Sequence, residues 1–522
     1  MTLQEEKNLK EILQSRDVLA NEILQLKARL KWYEEQLGLA NKRLYAPSSE
    51  KSPIGQEVMI FDEAEACASP VSSEPQTETI SYTRHKTVGK RDDQLEGLSV
   101  EEIEYTLPEE ERVCPKCFGP LHAMGHDVRR EIKLIPAKVI LVLHNRTNYT
   151  CRHCQNHEIK TPVLCAPAPE TAFPGSLASP SAVAYVMTRK FAEGMPLYRQ
   201  EQSLKLEGFE LSRQTMSNWM LTGAKWLSHI YDRMQSIMME RDILHADETT
   251  LQVLKEQNRA PWTESYMWLY RTGREGPPII LFEYQPTRTG ENPKRFLENF
   301  SGYLHVDGYG GYNKLPGVKQ VGCWAHARRK FNDAVNVIPK KDRKKMTHAN
   351  HGLVFCNKLF DIERELHDVT AEERFAGREA KSKDVLDNFH LWLINMQGRI
   401  TPSTALGKAV NYCLNQWEKL TVFLLDGRLE IDNNRAERSI KPFVIGRKNW
   451  LFANTPRGAN ASATIYSIVE SAKENGISPY AYLTYLFEKL PNIDVKDPQA
   501  IDLLLPWAEP VQAQFRVNKA TR

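Results

Sequence analysis

The apolar positions of the first forty residues fall on one stripe. Leu9, Ile12, Leu19, Ile23, Leu26, Leu30, Tyr33 and Leu37 alternate steps of three and four, with Arg16 in the one polar slot. Charged residues fill most of the rest, which predicts a coiled-coil helix over 1–45 that needs a partner helix, and so a homo-oligomer. Residues 46–105 carry PSSEKSP and ASPVSSEPQ with few aromatics, the composition of a flexible linker. Within 106–165, EIKLIPAKVILVLHNRTNY reads as two strands with a turn near Pro136. The segment 166–240 is helical: LYRQEQSLKLEGFELSRQTMSNWMLTGAKWL has apolar residues at helical spacing, a break at Gly208-Phe209, and Ser212 as an N-cap. Helix, glycine turn and helix give a helix-turn-helix outline.

From residue 242 the period shortens. ILHADETTLQVL, SYMWLYRTG and PIILFEYQ predict three strands, NPKRFLENF a short helix, GYLHVDGYGGY and KQVGCW two more strands, and AHARRKFNDAV a helix. This is the order expected of a ribonuclease H-like α/β core. A long helical stretch over 333–425 interrupts it, and a helix opening at Asp432-Asn-Asn-Arg-Ala-Glu437 resumes it. The core is thus expected in two parts, 241–332 and 426–490, followed by a tail over 491–522.

Composition narrows the function classes. The 522 residues are 41% hydrophobic and 26% charged, which excludes a wholly disordered or collagen-like chain. No apolar run approaches the ~18 residues that span a bilayer, and the charged start MTLQEEKNLK lacks a signal-peptide core; a cytoplasmic, nucleoid-associated protein without a membrane partner is expected. The net charge of +3 conceals a separation. Residues 50–113 hold 16 acidic and 6 basic side chains, 316–348 hold nine basic and two acidic, and 433–457 hold six basic and one acidic. Basic stretches of this kind suit a nucleic-acid backbone. Arg213, Arg328, Arg329, Lys330, Arg435, Arg438, Lys441, Arg447 and Lys448 are the candidate DNA contacts.

Two constellations carry chemistry. Cys114-Pro-Lys-Cys117 and Cys151-Arg-His-Cys154 bracket the predicted hairpin; four thiolates suit one structural Zn²⁺ in a zinc ribbon, with His122, His126, His153 and His157 near enough to compete as ligands. Asp247 and Asp307, on two predicted strands, point into one site that a carboxylate on the late helix would close. Glu437 and Asp432 are equal candidates on pattern alone. Such a trio suits two Mg²⁺ ions, which prefer oxygen ligands and act together in phosphodiester chemistry. Alternation sends Glu248 to the opposite sheet face.

HADETTLQV, HVDGYGGYN, GCWAHARRKF and IDNNRAERSIKP together resemble the insertion sequence sixty-six (IS66) family of bacterial D-D-E transposases. So do KRLYAPSSEK, the paired C-x-x-C knuckles, MPLYRQEQSLKLEGFELSRQTMSNW and the closing GANASATIYSIVESAKENGISPYAYLTYLFEKLP. The resemblance implies a ribonuclease H-like core and a DNA transposase that cuts insertion-sequence ends and joins them to target DNA, with Asp247, Asp307 and Glu437 as catalytic and Mg²⁺-binding residues. DNA ends, target DNA and small accessory proteins of the same element are the implied partners. Cys323 and His326 match a C-x-x-H pattern of related transposases; packing is the expected role, since two residues alone do not make a second zinc site. Tyr45, Ala46 and Thr250 depart from the family pattern without touching a proposed ligand. The alternatives are a nuclease of the same fold without joining activity, and a non-catalytic zinc-containing DNA-binding regulator.

Overall fold

The computed structural model describes residues 138–145, 147–150, 163–338 and 346–517. The predicted coiled coil, the acidic linker, the four candidate zinc cysteines and the basic run 340–345 lie outside these residues. The chain divides into two units. In one of them, β1 (Asn148–Thr150) and β2 (Val163–Cys165) form an antiparallel pair.

The other unit contains residues 170–517. Three helices open it: α1 (Pro180–Phe191), α2 (Leu197–Leu206) and α3 (Arg213–Met239). Ser212 caps α3 by accepting the Thr215 amide, which satisfies a donor that has no partner within the helix. Gly208, at φ +82°, makes the turn before it, a conformation that strains any residue with a Cβ. One stripe of α3, including Met216, Met220, Leu227, Ile230 and Met234, is buried.

The five strands fall where the alternation predicts them: β3 (Ile243–Gln252), β4 (Glu264–Thr272), β5 (Ile280–Gln285), β6 (Gly302–Val306) and β7 (Val318–Gly322). The sheet order is β5-β4-β3-β6-β7. β3, β4 and β5 form an antiparallel meander, while β6 and β7 run parallel to β3. A short helix, α4 (Glu291–Phe296), connects β5 to β6.

Register assigns the two faces. Asp247 pairs with Leu269 and Leu269 with Phe282; Glu248 pairs with Trp268 and Trp268 with Glu283. Successive residues point to opposite faces of a strand, so Asp247, Leu269 and Phe282 share one face. That face is covered by α10 (Asn434–Trp450) and α11 (Pro456–Glu474), through ring contacts of Phe282 with Phe443 and Tyr466. On the other face Tyr270 stacks on Phe296 and Trp268 meets Tyr312 edge-on. The edge strand β5 would leave amides unpaired. Ser467 and Ser471 of α11 accept the Phe282 and Ile280 amides at 2.8 and 3.0 Å.

After β7 the chain enters α5 (Trp324–Val337) and then a helical insertion: α6 (His348–Glu365), α7 (Ala371–Gln397), α8 (Ala405–Asn415) and α9 (Trp417–Leu420). It has its own core, built on Trp324, Phe331, Leu359, Phe389, Leu393 and Phe423. Arg378 of α7, fully buried, clamps the returning chain. It bonds both oxygens of Glu363 at 2.7 Å and donates to the carbonyls of Phe423, Asp426 and Leu429. The insertion ends where it began, with the Trp324 amide on the Ile431 carbonyl. α12 (Pro479–Lys489), α13 (Pro498–Asp502) and α14 (Glu509–Phe515) complete the unit. Among the described residues no helix is long and apolar enough to cross a membrane.

Candidate active site

The site is assembled from β3, the end of β6, and the first turn of α10. His245 pairs with His305 in the parallel ladder. Two residues further along each chain stand Asp247 and Asp307, so the two carboxylates leave the sheet at one level and on one face. Gly308, at φ +100°, turns the chain away immediately after Asp307. The Asp307 carboxylate accepts the Tyr309 amide at 2.8 Å and its carbonyl accepts the Tyr412 hydroxyl. Asp247 accepts the Glu248 amide at 2.9 Å.

Glu437 joins them from α10. The Asp247 carboxyl is pushed well above the usual range, first by burial and then by the negative charges of Glu248, Asp307 and Glu437. Glu248 lies on the opposite sheet face, as alternation predicts, although its charge still acts on Asp247. There its carboxylate is bonded to Arg288 and to the Tyr312 hydroxyl, the latter at 2.6 Å. Asp432, the alternative on pattern, is engaged locally. Its oxygens take the amide and side-chain amide of Asn434, at 3.0 and 2.5 Å, and burial pushes it up to about 6.

Asn433, not singled out in the sequence, ties these elements together. It is the N-cap position of α10 but makes no side-chain cap bond. Its Nδ2 donates to the Ala246 carbonyl at 2.8 Å, its Oδ1 meets His245 Nδ1 at 2.9 Å, and its amide donates to Cys323 Sγ at 3.2 Å. One buried side chain therefore fixes the strand of Asp247 against the helix of Glu437. His245 and His305 stack with centroids 4.2 Å apart, both fully buried. Burial lowers His245 to about 4 and holds His305 well below the ordinary imidazole range, so neither ring brings positive charge beside the carboxylates at neutral pH. Each precedes its aspartate by two residues, and this repeated His-x-Asp was the available sequence signal.

Behind the rings sits Glu430. Burial alone would raise its carboxyl, but His245 when charged, and the bonded guanidiniums of Arg435 and Arg274, pull it well below the carboxylate range. Arg271, also buried, donates to Ser439 and to the Arg435 carbonyl, tying β4 to α10.

Cys323 and His326 stand at the start of α5, facing Glu437. His326 Nδ1 is 3.6 Å from Glu437 Oε1, and Arg329 Nη2 is 3.3 Å from Oε2. Burial pushes the Cys323 thiol up to about 12.

The candidate DNA contacts fall into distinct settings. Arg438, Lys441 and Lys448 form one exposed row on α10. Arg329 is exposed on α5, Lys330 lies over the Tyr412 ring, and Arg328 donates to Asn357. Arg435 is turned inward onto Glu430, and Arg447 donates to the Thr250 carbonyl. Arg213 pairs with Glu201 at 3.0 Å at the start of α3.

A mixed α/β fold that gathers carboxylates from distant parts of the chain at one sheet level defines an acidic, oxygen-lined centre. Family comparisons agree with that class. The Transposase IS66 family matches residues 175–461, the IS66 C-terminal element 467–507, and the zinc-finger binding domain of transposase IS66 111–155. The chain belongs to the IS66 transposase family. It is similar to uncharacterized proteins of Sinorhizobium fredii: y4jD, 31% identical over 76% of this chain and 78% of that protein, and y4hP, 29% identical over 87% and 82%. A third, y4qI, is 31% identical over 74% and 71%.

Proposed function

We propose that this protein is a DNA transposase that cuts insertion-sequence ends and transfers the freed strand into target DNA. The observation that carries the reading is the register that sets Asp247 and Asp307 each two residues beyond the paired His245 and His305, with Glu437 in the first turn of the helix packed on β3. The strand order β5-β4-β3-β6-β7, with two parallel and two antiparallel pairings, supports a ribonuclease H-like core.

The donor set fits divalent cations: carboxylate oxygens, the ligands Mg²⁺ prefers, come from β3, the end of β6 and α10. Two bound Mg²⁺ ions would supply activation of an oxygen nucleophile and stabilisation of the leaving oxygen. The residues of the chain do the rest. Asn433 and the stacked histidines hold β3, β6 and α10 in register. Arg329 and the exposed row Arg438, Lys441 and Lys448 bind phosphates and position the strand without reading bases. Cys114, Cys117, Cys151 and Cys154, all inside the matched zinc-finger segment, would hold one Zn²⁺. The N-terminal coiled coil would pair two chains on two ends.

The test is strand cleavage and joining on end-containing DNA with Mg²⁺. Asp307→Asn is expected to abolish both while DNA binding persists. Full activity of Asp307→Asn would overturn the metal assignment. Nicked products without joined strands would mark a nuclease, and DNA binding with no cleavage by the unaltered protein a regulator.

A further inference from the structure

We propose that Cys323, His326 and Glu437 bind a structural Zn²⁺ ion that clips the start of α5 to the start of α10. The ligand atoms of the three residues all lie within 4.8 Å of one another. Pattern reading along the chain gives only the Cys-x-x-His pair; folding brings the third donor from more than a hundred residues away.

Two orphaned atoms mark the site. His326 Nδ1 and Glu437 Oε1 are buried, and among the described residues neither has a hydrogen-bond partner. They face each other at 3.6 Å, too far for a hydrogen bond. Two ligands of one tetrahedral zinc, with Zn–N and Zn–O near 2.0–2.2 Å, sit about 3.4 Å apart. The observed spacing is therefore that of two atoms sharing an ion. Buried polar atoms without partners are costly, and coordination removes both deficits together.

Cys323 supplies the soft donor. It is the N-cap residue of α5. Its sulfur receives the Asn433 amide at 3.2 Å, a bond of the kind that steadies metal thiolates. Sulfur, imidazole and one carboxylate select zinc over magnesium. Binding releases the thiol proton to solvent, and water fills the fourth position.

The location supplies the purpose. Cys323 and His326 are where the helical insertion leaves the sheet, and Glu437 follows where it returns. The main chain crosses the same gap once, at Trp324 to Ile431. An ion here holds the third carboxylate of the proposed active site against the insertion through Oε1, while Oε2, 3.3 Å from Arg329, stays open to the active site.

The experiment is zinc content of the full-length protein by elemental mass spectrometry after desalting. Unaltered protein should carry about two zinc per chain, one in the cysteine ribbon and one here. His326→Ala should lose one of the two. His326→Cys, which replaces one ligand by another, should keep both, an outcome that a plain His–Glu ion pair does not produce. Cys114→Ser combined with Cys117→Ser should retain one zinc, lost when His326→Ala is added. One zinc or none per chain in the unaltered protein, or a count unmoved by His326→Ala, would overturn the proposal. The Asp307→Asn variant should still carry two, so a failure of the strand-transfer reading leaves this measurement intact.

Discussion

Replacing Asn433 by alanine removes two hydrogen bonds between β3 and the start of α10. The Ala246 carbonyl and His245 Nδ1 then stay buried without partners, while the main-chain bond to Cys323 survives. Each buried polar group left unsatisfied costs about 1–3 kcal/mol, so a loss of about 2–6 kcal/mol is expected for the two. At about 2.1 cal/mol/K of unfolding entropy per residue, the residues 170–517 change by about 0.7 kcal/mol per degree, and the Tm should fall by about 3–8 °C. Calorimetry of the full chain measures this. A double-mutant cycle sharpens the test. Removing both partners of a buried bond costs less than removing one, so Asn433→Ala combined with His245→Phe should cost less than the sum of the singles by at least about 1 kcal/mol. A Tm drop below about 1 °C, or single effects that add within ~0.3–0.5 kcal/mol, would refute the role given to Asn433. DNA cleavage by Asn433→Ala should fall with DNA affinity unchanged, because the side chain positions the carboxylates and touches no phosphate.

Three further outcomes follow from particular contacts. Arg378→Ala strands the Glu363 carboxylate and three buried carbonyls, and should destabilise the insertion by about 3–5 kcal/mol in thermal or denaturant unfolding; Arg378→Lys should recover little, because an ammonium cannot reproduce the forked bonding. Glu430 is held below its ordinary value in the folded protein, so its stabilisation is present above about pH 4.5 and is lost as pH falls further; Glu430→Gln should therefore destabilise at pH 7, with the gap to unaltered protein closing below pH 4.5. Arg438→Ala and Lys448→Ala should weaken DNA binding alike on all sequences, each lowering the slope of log affinity against log salt by about 1.

Much of the sheet was legible because strands encode themselves locally. Alternation in ILHADETTLQ and the apolar run in PIILFEYQ marked β3 and β5 directly, and alternation also separated Asp247 from Glu248. What depends on contacts distant in sequence was not legible. Asn433 reads as a cap residue in Asp-Asn-Asn-Arg, yet its side chain crosses to β3, and Asp432 takes the adjacent amide in its place. Pattern alone left Glu437 and Asp432 equal, and the family resemblance rather than local periodicity pointed to Glu437. The third partner of Cys323 and His326 was invisible because the whole insertion separates it from them.

The two neighbouring acids of β3 show how the fold divides one run of charge into two roles. Glu248 faces Arg288 and Tyr312 and is neutralised within the protein. Asp247, one residue earlier and on the other face, meets burial and three further carboxylates. A carboxyl pushed upward in this way costs the folded state free energy at neutral pH, on the order of 1.4 kcal/mol per pKa unit. Asp247→Asn should therefore raise the Tm in the absence of divalent ions. It should also abolish cleavage, since the amide no longer offers an anionic ligand. Added Mg²⁺ should stabilise the unaltered protein by mass action and the variant much less. A variant less stable than its parent without metal, or stabilised equally by Mg²⁺, would contradict the view that this repulsion is held in place for a cation. The acidic centre and the basic row on α10 lie side by side. In the proposed reaction the one would retain the cations and the other the phosphates.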